Sequence, residues 1–309
     1  MPASDVALPL VRAQPRTRRW RGIPAGYLFV APWFIGYLGL TLGPAIASLW
    51  LSFTNYDLLE APRWVGLANY ARIFTADAKV SAAVWVTFIY VALAVPFKLG
   101  FALVIAMVLN RGIRGLPLYR ALFYLPSLLG ASVAIATLWR EVFSGDGLLD
   151  QLLLRIGIHA PSWVSDPDYA IYTLVALSVW QFGSPMIIFL AGLRQIPQEL
   201  YEAASLDGAT PRSQFWHITL PLLTPVIFFN IVVQTILAFQ AFTPAFIISG
   251  GTGGPIDSTL FYTLYLYQEA FGYLRMGYAA ALAWLLVLAI AAVTAVAFMT
   301  SRRWVHYEA

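Results

Sequence analysis

Polar positions in this chain come in short clusters, and the stretches between them stay apolar for unusually long runs. None of Asp, Glu, Lys or Arg occurs in residues 22–56, 121–139, 169–193, 213–256 or 276–301, and residues 80–110 hold one charge, Lys98. Each run accommodates the ~20 apolar residues that carry a helix across ~30 Å of hydrocarbon. Strands of a membrane barrel need only about ten alternating residues, so these runs are too long for that architecture. Without water, a backbone must satisfy its own polar groups, and helices are the remaining option. The pattern predicts an all-α integral membrane protein with six transmembrane helices near 27–53, 80–109, 118–139, 169–193, 219–246 and 278–300. It also predicts an N-terminal tail (1–26), a single transmembrane domain (27–300) and a C-terminal tail (301–309). The first run follows basic residues, as a signal peptide would. It is longer than a signal's apolar region and lacks a clear cleavage site, so it is expected to be a retained span.

Composition agrees: 60% of residues are hydrophobic, 11% are charged and the mean hydropathy is +0.72, which points to the bilayer as solvent. Charge then sets orientation. Six spans leave both termini on one side, which carries Arg12, Arg16, Arg18, Arg19, Arg21, Arg111, Arg114, Arg120, Arg194, Arg212, Arg302 and Arg303. The opposite side carries Arg63, Arg72, Lys79, Arg140, Arg155 and Arg275. The excess places both termini in the cytoplasm. The net charge of +4 is thereby a topology signal that calls for no nucleic-acid partner.

Several chemistries are missing. There is no cysteine, and His159, His217 and His306 show no ligand spacing, so no metal site is expected. The two lysines, Lys79 and Lys98, do not follow a glycine-rich loop, so the chain has no phosphate-binding loop of its own. No acid lies within a span, which argues against a proton-relay carrier. Lys98 is the exception among the spans. Intramembrane charge is costly, and snorkelling to the surface or lining a wet cavity both remain open. Pro32, Pro44, Pro96, Pro126, Pro185, Pro225 and Pro244 fall within spans. They either shape helix packing or open a cavity between broken helices.

One cytoplasmic connection stands out, residues 197–221, within "QIPQELYEAASLDGATPRSQFWHITLPLL". Pro197 suits a helix start, and Glu199 and Glu202 suit its positive end. Gly208 suits the left-handed residue that ends a helix, and Thr210 before Pro211 suits the cap of a second. The pattern predicts helix, glycine, helix. Leu200, Ala203 and Ala204 share a face. That low-relief surface suits a docking partner, and an ordinary loop helix resting on headgroups is the alternative.

Glu202-Ala203-Ala204, Asp207-Gly208-Ala209, Phe215, Ile218 and Leu220-Pro221 resemble the EAA loop of permease subunits in binding-protein-dependent ABC importers. "LNRGIRGLPLYRALFYLP", "WVSDPDYA", "LAGLRQIPQELYEAA" and "GYAAALAWLL" extend the resemblance over nearly the whole chain, toward the maltose-type sugar permeases. The resemblance implies a type I ABC importer permease fold in a bacterial or archaeal cytoplasmic membrane. It implies a second homologous permease, two ABC ATPase subunits that use ATP and Mg, an extracytoplasmic solute-binding protein, and a sugar or sugar-like solute. No cofactor would bind this chain and it would not be an enzyme. Glu202, Ala203, Ala204, Asp207, Gly208 and Ala209 would form the ATPase-coupling helix and turn. Family sugar positions fall on Ser127, Ser178, Phe182, Pro185, Ala238 and Ala241, where the family's asparagines and tyrosines are not kept. Trp180, Gln181, Asn230, Gln234, Phe239 and Gln240 lie nearby, and amides and aromatic faces suit sugars. Helix packing is the alternative use for each. A different class of transporter, an ion-coupled secondary carrier, would need the intramembrane acids that are absent.

Overall fold

The computed structural model describes residues 25–112, 114–130, 132–159 and 161–306. The expected terminal tails lie mostly outside this range. The chain divides into two units, Met1–Ser48 and Leu49–Ala309. In the first, α1 (Ala25–Tyr37) passes through a π-helical turn (Leu38–Leu42) into α2 (Gly43–Leu51). Its apolar side chains are largely exposed, as a lipid-facing span requires.

In the second unit a two-residue ladder, β1 (Thr54–Asn55) with β2 (Arg63–Trp64), precedes α3 (Ala68–Thr75). The long α4 (Ala78–Asn110) is the hub. Then follow α5 (Leu116–Leu129), α6 (Val133–Val142), α7 (Leu148–Arg155), α8 (Ala170–Trp180) and α9 (Gly183–Leu193). The remainder is α10 (Gln198–Leu206), α11 (Pro211–Gln214), α12 (Leu220–Phe239), α13 (Thr243–Ile248), α14 (Tyr262–Tyr267) and α15 (Met276–Ser301). Helix α4 packs on α8, α9, α12 and α14. Its inward stripe is rich in small residues: Ala83, Ala94, Ala102 and Ala106 are fully buried. Small residues at four-residue spacing let helix backbones approach closely, which is how packing replaces the hydrophobic drive in lipid. Trp85, Phe88, Phe97, Phe101 and Val104, on its other side, are exposed.

Among the described residues, four helical stretches are long and apolar enough to span: Gly26–Leu51, Ala78–Asn110, Pro211–Ile248 and Met276–Ser301. The other two runs are each a bent pair. Leu116–Leu129 and Val133–Val142 meet at 94°, and Ala170–Trp180 and Gly183–Leu193 at 44°. The runs expected as spans 118–139 and 169–193 are therefore each bent at a break, where Pro126 and Pro185 lie close by. Proline explains part of this. Pro185 has no N–H to return to the Gln181 carbonyl four residues earlier, so the helix opens there. The same loss at Pro225 frees the Pro221 carbonyl, and the Thr224 hydroxyl donates to it instead (2.6 Å).

Where α4 and α15 begin, a polar cluster ties the loops together. Tyr265 and Tyr278 each donate a hydroxyl to Asp77 Oδ2 (2.6 Å both), while Asp77 Oδ1 caps α4 through the Lys79 N–H. The Arg72 guanidinium sits 4.5 Å over the Tyr278 ring, and Arg275 pairs with buried Glu269 (3.1 Å). Burial pushes the Asp77 carboxyl up, but the hydroxyls of Tyr265 and Tyr278 and the N–H groups of Val80 and Lys79 outweigh it and hold the value below the ordinary 3.8. A depressed carboxylate contributes stability that is full above its unfolded value and fades as pH falls through the folded one. Asp77→Asn is thus expected to lower the melting temperature in detergent at pH 7. The gap from wild type should begin to narrow as pH falls below about 4, which melts across pH 3–8 would check.

Candidate functional site

The breaks in the helices meet at one place. A cavity of about 380 Å³ is lined by α4 (Tyr90, Val95, Lys98), by Ser127 and Gly130, by the α8–α9 junction (Ser178, Gln181, Ser184) and by the α12–α13 junction (Gln234, Leu237, Ala238 and Gln240 to Pro244). Ser127 is the lock at the first junction. Its hydroxyl donates to the Gln181 carbonyl that Pro185 leaves open (2.9 Å) and accepts the Ser184 N–H (3.0 Å). The Gln181 amide in turn donates to the Gly130 carbonyl (3.2 Å). Glycine is required on both sides of this crossing. A Cβ at Gly130 would lie 2.2 Å from Gln181 Cδ, and one at Gly183 would lie 2.5 Å from the Phe123 carbonyl. At the second junction Pro244 cannot bond the Gln240 carbonyl, and the Thr263 hydroxyl donates to Ala241 O. Broken helices with re-satisfied backbone around a polar cavity are the usual construction of a solute site within a membrane.

Of the solute candidates read from the sequence, Ser127, Ser178, Gln181, Gln234 and Gln240 line this cavity. The other four are turned elsewhere. Trp180 packs on Trp139 (6.0 Å between centroids) and borders an outward apolar groove. Phe182 meets Phe101 edge-on (4.8 Å). Asn230 is fully buried and folds its amide back to the Val226 carbonyl (3.1 Å). Phe239 lines a separate apolar groove with Tyr262 and Leu285. The sequence list omitted Ser184 and Thr243 from the wall. A polar residue beside a proline at a break is the signal that could have found them.

The 197–221 segment folds as its local signals demand. Pro197 precedes α10, and at its end the Gly208 N–H bonds the Ser205 carbonyl (3.1 Å) and the Ala209 N–H the Ala204 carbonyl (2.9 Å). That pair of bonds is a Schellman ending, with Gly208 at φ +81°. Thr210 caps α11, accepting the Ser213 N–H (3.3 Å). Glu202, Ala203, Asp207 and Gly208 are exposed, whereas Ala204 and Ala209 are half-buried. Leu206, which sequence reasoning passed over, is 91% exposed at the tip. The unit is fastened to the foot of α12. Tyr201 and Thr219 share a hydroxyl bond (2.9 Å), and the Gln214 amide donates to the Tyr201 carbonyl (3.3 Å) and the Ser205 hydroxyl (2.8 Å).

Comparison with known proteins agrees with this arrangement. A family described as "Binding-protein-dependent transport system inner membrane component" matches residues 73–306. The chain is 54% identical to the probable ABC transporter permease protein YesP of Bacillus subtilis (strain 168), over 92% of each. It is 33% identical to the lactose transport system permease protein LacF of Rhizobium radiobacter, over 90% of this chain and 94% of that one. In fold it matches a chain of a bacterial alginate ABC transporter crystallised in complex with an alginate pentasaccharide-bound periplasmic protein. The TM-score is 0.77 at 20% identity, covering 90% of this chain and 94% of that one. A family match over most of the chain, with relatives aligned nearly end to end, places this multi-pass membrane protein among the inner membrane components of binding-protein-dependent transport systems, as an ABC permease subunit and not an enzyme.

Proposed function

We propose that this chain is half of the pore of an ATP-driven sugar importer in a bacterial or archaeal cytoplasmic membrane. In this reading it has six spans and both termini inside, residues 27–300 forming one permease domain. It pairs with a second homologous permease, receives its solute from an extracytoplasmic binding protein, and is driven by two ATPase subunits that bind the ATP and Mg. Sugar as the solute class is supported by the lactose permease relative, by the alginate transporter of like fold, and by a cavity whose polar groups, Lys98 apart, are hydroxyls and amides.

The observation that carries the reading is the fastening of α10 to α12. The Tyr201–Thr219 and Gln214 bonds join an exposed, rigidly ended helix to the one whose far end supplies Gln234, Leu237 and Ala238 to the cavity. A push on Glu202, Leu206 and Asp207 would therefore be carried along a single helix to the solute site. ATPase closure would draw the coupling helices together and rock the spans from inward- to outward-facing, with the solute site as the fixed point. The exposed Leu206 gives such a partner an apolar anchor.

Reconstitution of the four-subunit complex with its binding protein in proteoliposomes tests this. Uptake of labelled saccharide is expected only with ATP on the ATPase side and without any ion gradient. Uptake that persists without ATP under a proton or sodium gradient would instead establish an ion-coupled carrier.

A further inference from the structure

Lys98 has no role in the packing described so far, yet it sits on the inward stripe of α4. Ala94, four residues before it, and Ala102, four after, are fully buried, and its neighbours Val95 and Leu99 are buried as well. Residues four apart share a helix face, so the side chain is directed inward and not to lipid. It lies twelve residues before Asn110, the end of α4, about 18 Å along the axis. Its direction, toward the packed helices and away from lipid, sets it apart from a lysine that snorkels along the bilayer. Instead it lines the 380 Å³ cavity, as the one charged residue in a wall whose other polar side chains are serine, glutamine, threonine and tyrosine. The ion pairs among the described residues are Arg63–Glu60 and Arg275–Glu269, and neither involves it.

A cation in a membrane-embedded cavity without a carboxylate is costly unless something supplies the opposite charge. Hydroxyls and amides satisfy hydrogen bonds but not charge. Resting on the importer reading above, we propose that the solute supplies it. The cavity takes a uronate-bearing saccharide whose carboxylate pairs with Lys98, while serine and glutamine side chains bond its hydroxyls. One lysine without an arginine balances one carboxylate. A phosphate, at about −1.5 to −2 near neutrality, would leave negative charge in the cavity and would favour a bidentate arginine partner. A neutral sugar would leave the ammonium uncompensated.

The test uses the complete transporter with its binding protein in proteoliposomes. The probes are disaccharides of one galacturonate or glucuronate joined to a neutral sugar, and their carboxyl-reduced, neutral counterparts. ATP-driven uptake of the uronates is expected in wild type, to fall at least ~10-fold in Lys98→Gln and to be largely kept in Lys98→Arg. Uptake of the neutral counterparts should not fall in either variant. The proposal is overturned if wild type prefers the neutral sugars. It is also overturned if Lys98→Gln slows both sets alike, as loss of a structural pair with a carboxylate of the second permease would. Absence of ATP-driven uptake of any saccharide would overturn the importer reading itself, and the proposal with it.

Discussion

ATP-driven uptake through a complex carrying Glu202→Lys together with Gly208→Val is expected to fall about 100-fold, while the chain still inserts and reaches normal amounts in the membrane. Two physical effects combine. Gly208 holds φ +81° at the Schellman ending, a conformation that costs other residues ~1–2 kcal/mol and a β-branched one most. Space is not the issue, since a Cβ at that position meets nothing within 4 Å. Valine would therefore unwind the end of α10 and shift Leu206 and Asp207 from the place where the proposed ATPase partner would meet them. Charge reversal at Glu202 would act on the exposed face proposed for that contact without touching the fold. A central interface anchor is typically worth ~2–4 kcal/mol, hence the size of the effect. The readouts are saccharide uptake, ATPase subunits retained on affinity purification, and membrane abundance of the permease. Gly208→Asn separates the causes, because asparagine tolerates the left-handed region and should keep most of the activity. Unchanged uptake in the double variant would sink the coupling role of this segment.

Gly183→Ala is expected to destabilise the chain strongly at the α8–α9 junction beside the cavity. Its Cβ would lie 2.5 Å from the Phe123 carbonyl and 2.7 Å from Tyr124 Cα, and both are main-chain atoms of α5 that cannot rotate away. It would also stand 2.9 Å from Ser127 Oγ, the atom that satisfies the break between α8 and α9. Relief requires α9 to move off α5, which breaks the Ser127 bonds to the Gln181 carbonyl and the Ser184 N–H. Overpacking costs ~1–3 kcal/mol, and each lost buried hydrogen bond adds about 1. A total near 4 kcal/mol would empty much of the folded population of a marginally stable chain. The measurement is thermal unfolding in detergent beside Ser127→Ala, which loses the same bonds without the clash and should lose roughly half as much. Equal stability of Gly183→Ala and wild type would show that α5 and α9 do not hold the close approach described.

Legibility followed the range of the interactions. The glycine-broken helix pair at 197–214 was readable because caps and helix endings are made by residues a few positions apart. Pro197, Gly208 and Thr210-Pro211 carry their own geometry. The cavity wall was half readable. Ser127, Ser178, Gln181, Gln234 and Gln240 converge, but Trp180 and Phe182, on either side of Gln181, point away. Each step along a helix turns the side chain by about 100°. The break at Gln181 resets that rotation by an amount fixed only by how α5 packs against α9. Asn230 reads as a sugar-binding amide, yet its helix faces the protein interior and its amide returns to its own backbone.

The sequence alone determined that the chain is helical and membrane-embedded, because the need of a backbone in lipid to satisfy itself leaves apolar runs of this length one solution. It also determined where the exposed helix α10 begins and ends. Lys98 marks the boundary of what it could decide. A lone charge within an apolar run states that something must compensate it, but not whether that is water at the surface or a ligand within. The tertiary structure decided its direction, by placing Ala94 and Ala102 against neighbouring helices and turning the face between them, with its ammonium, into the cavity.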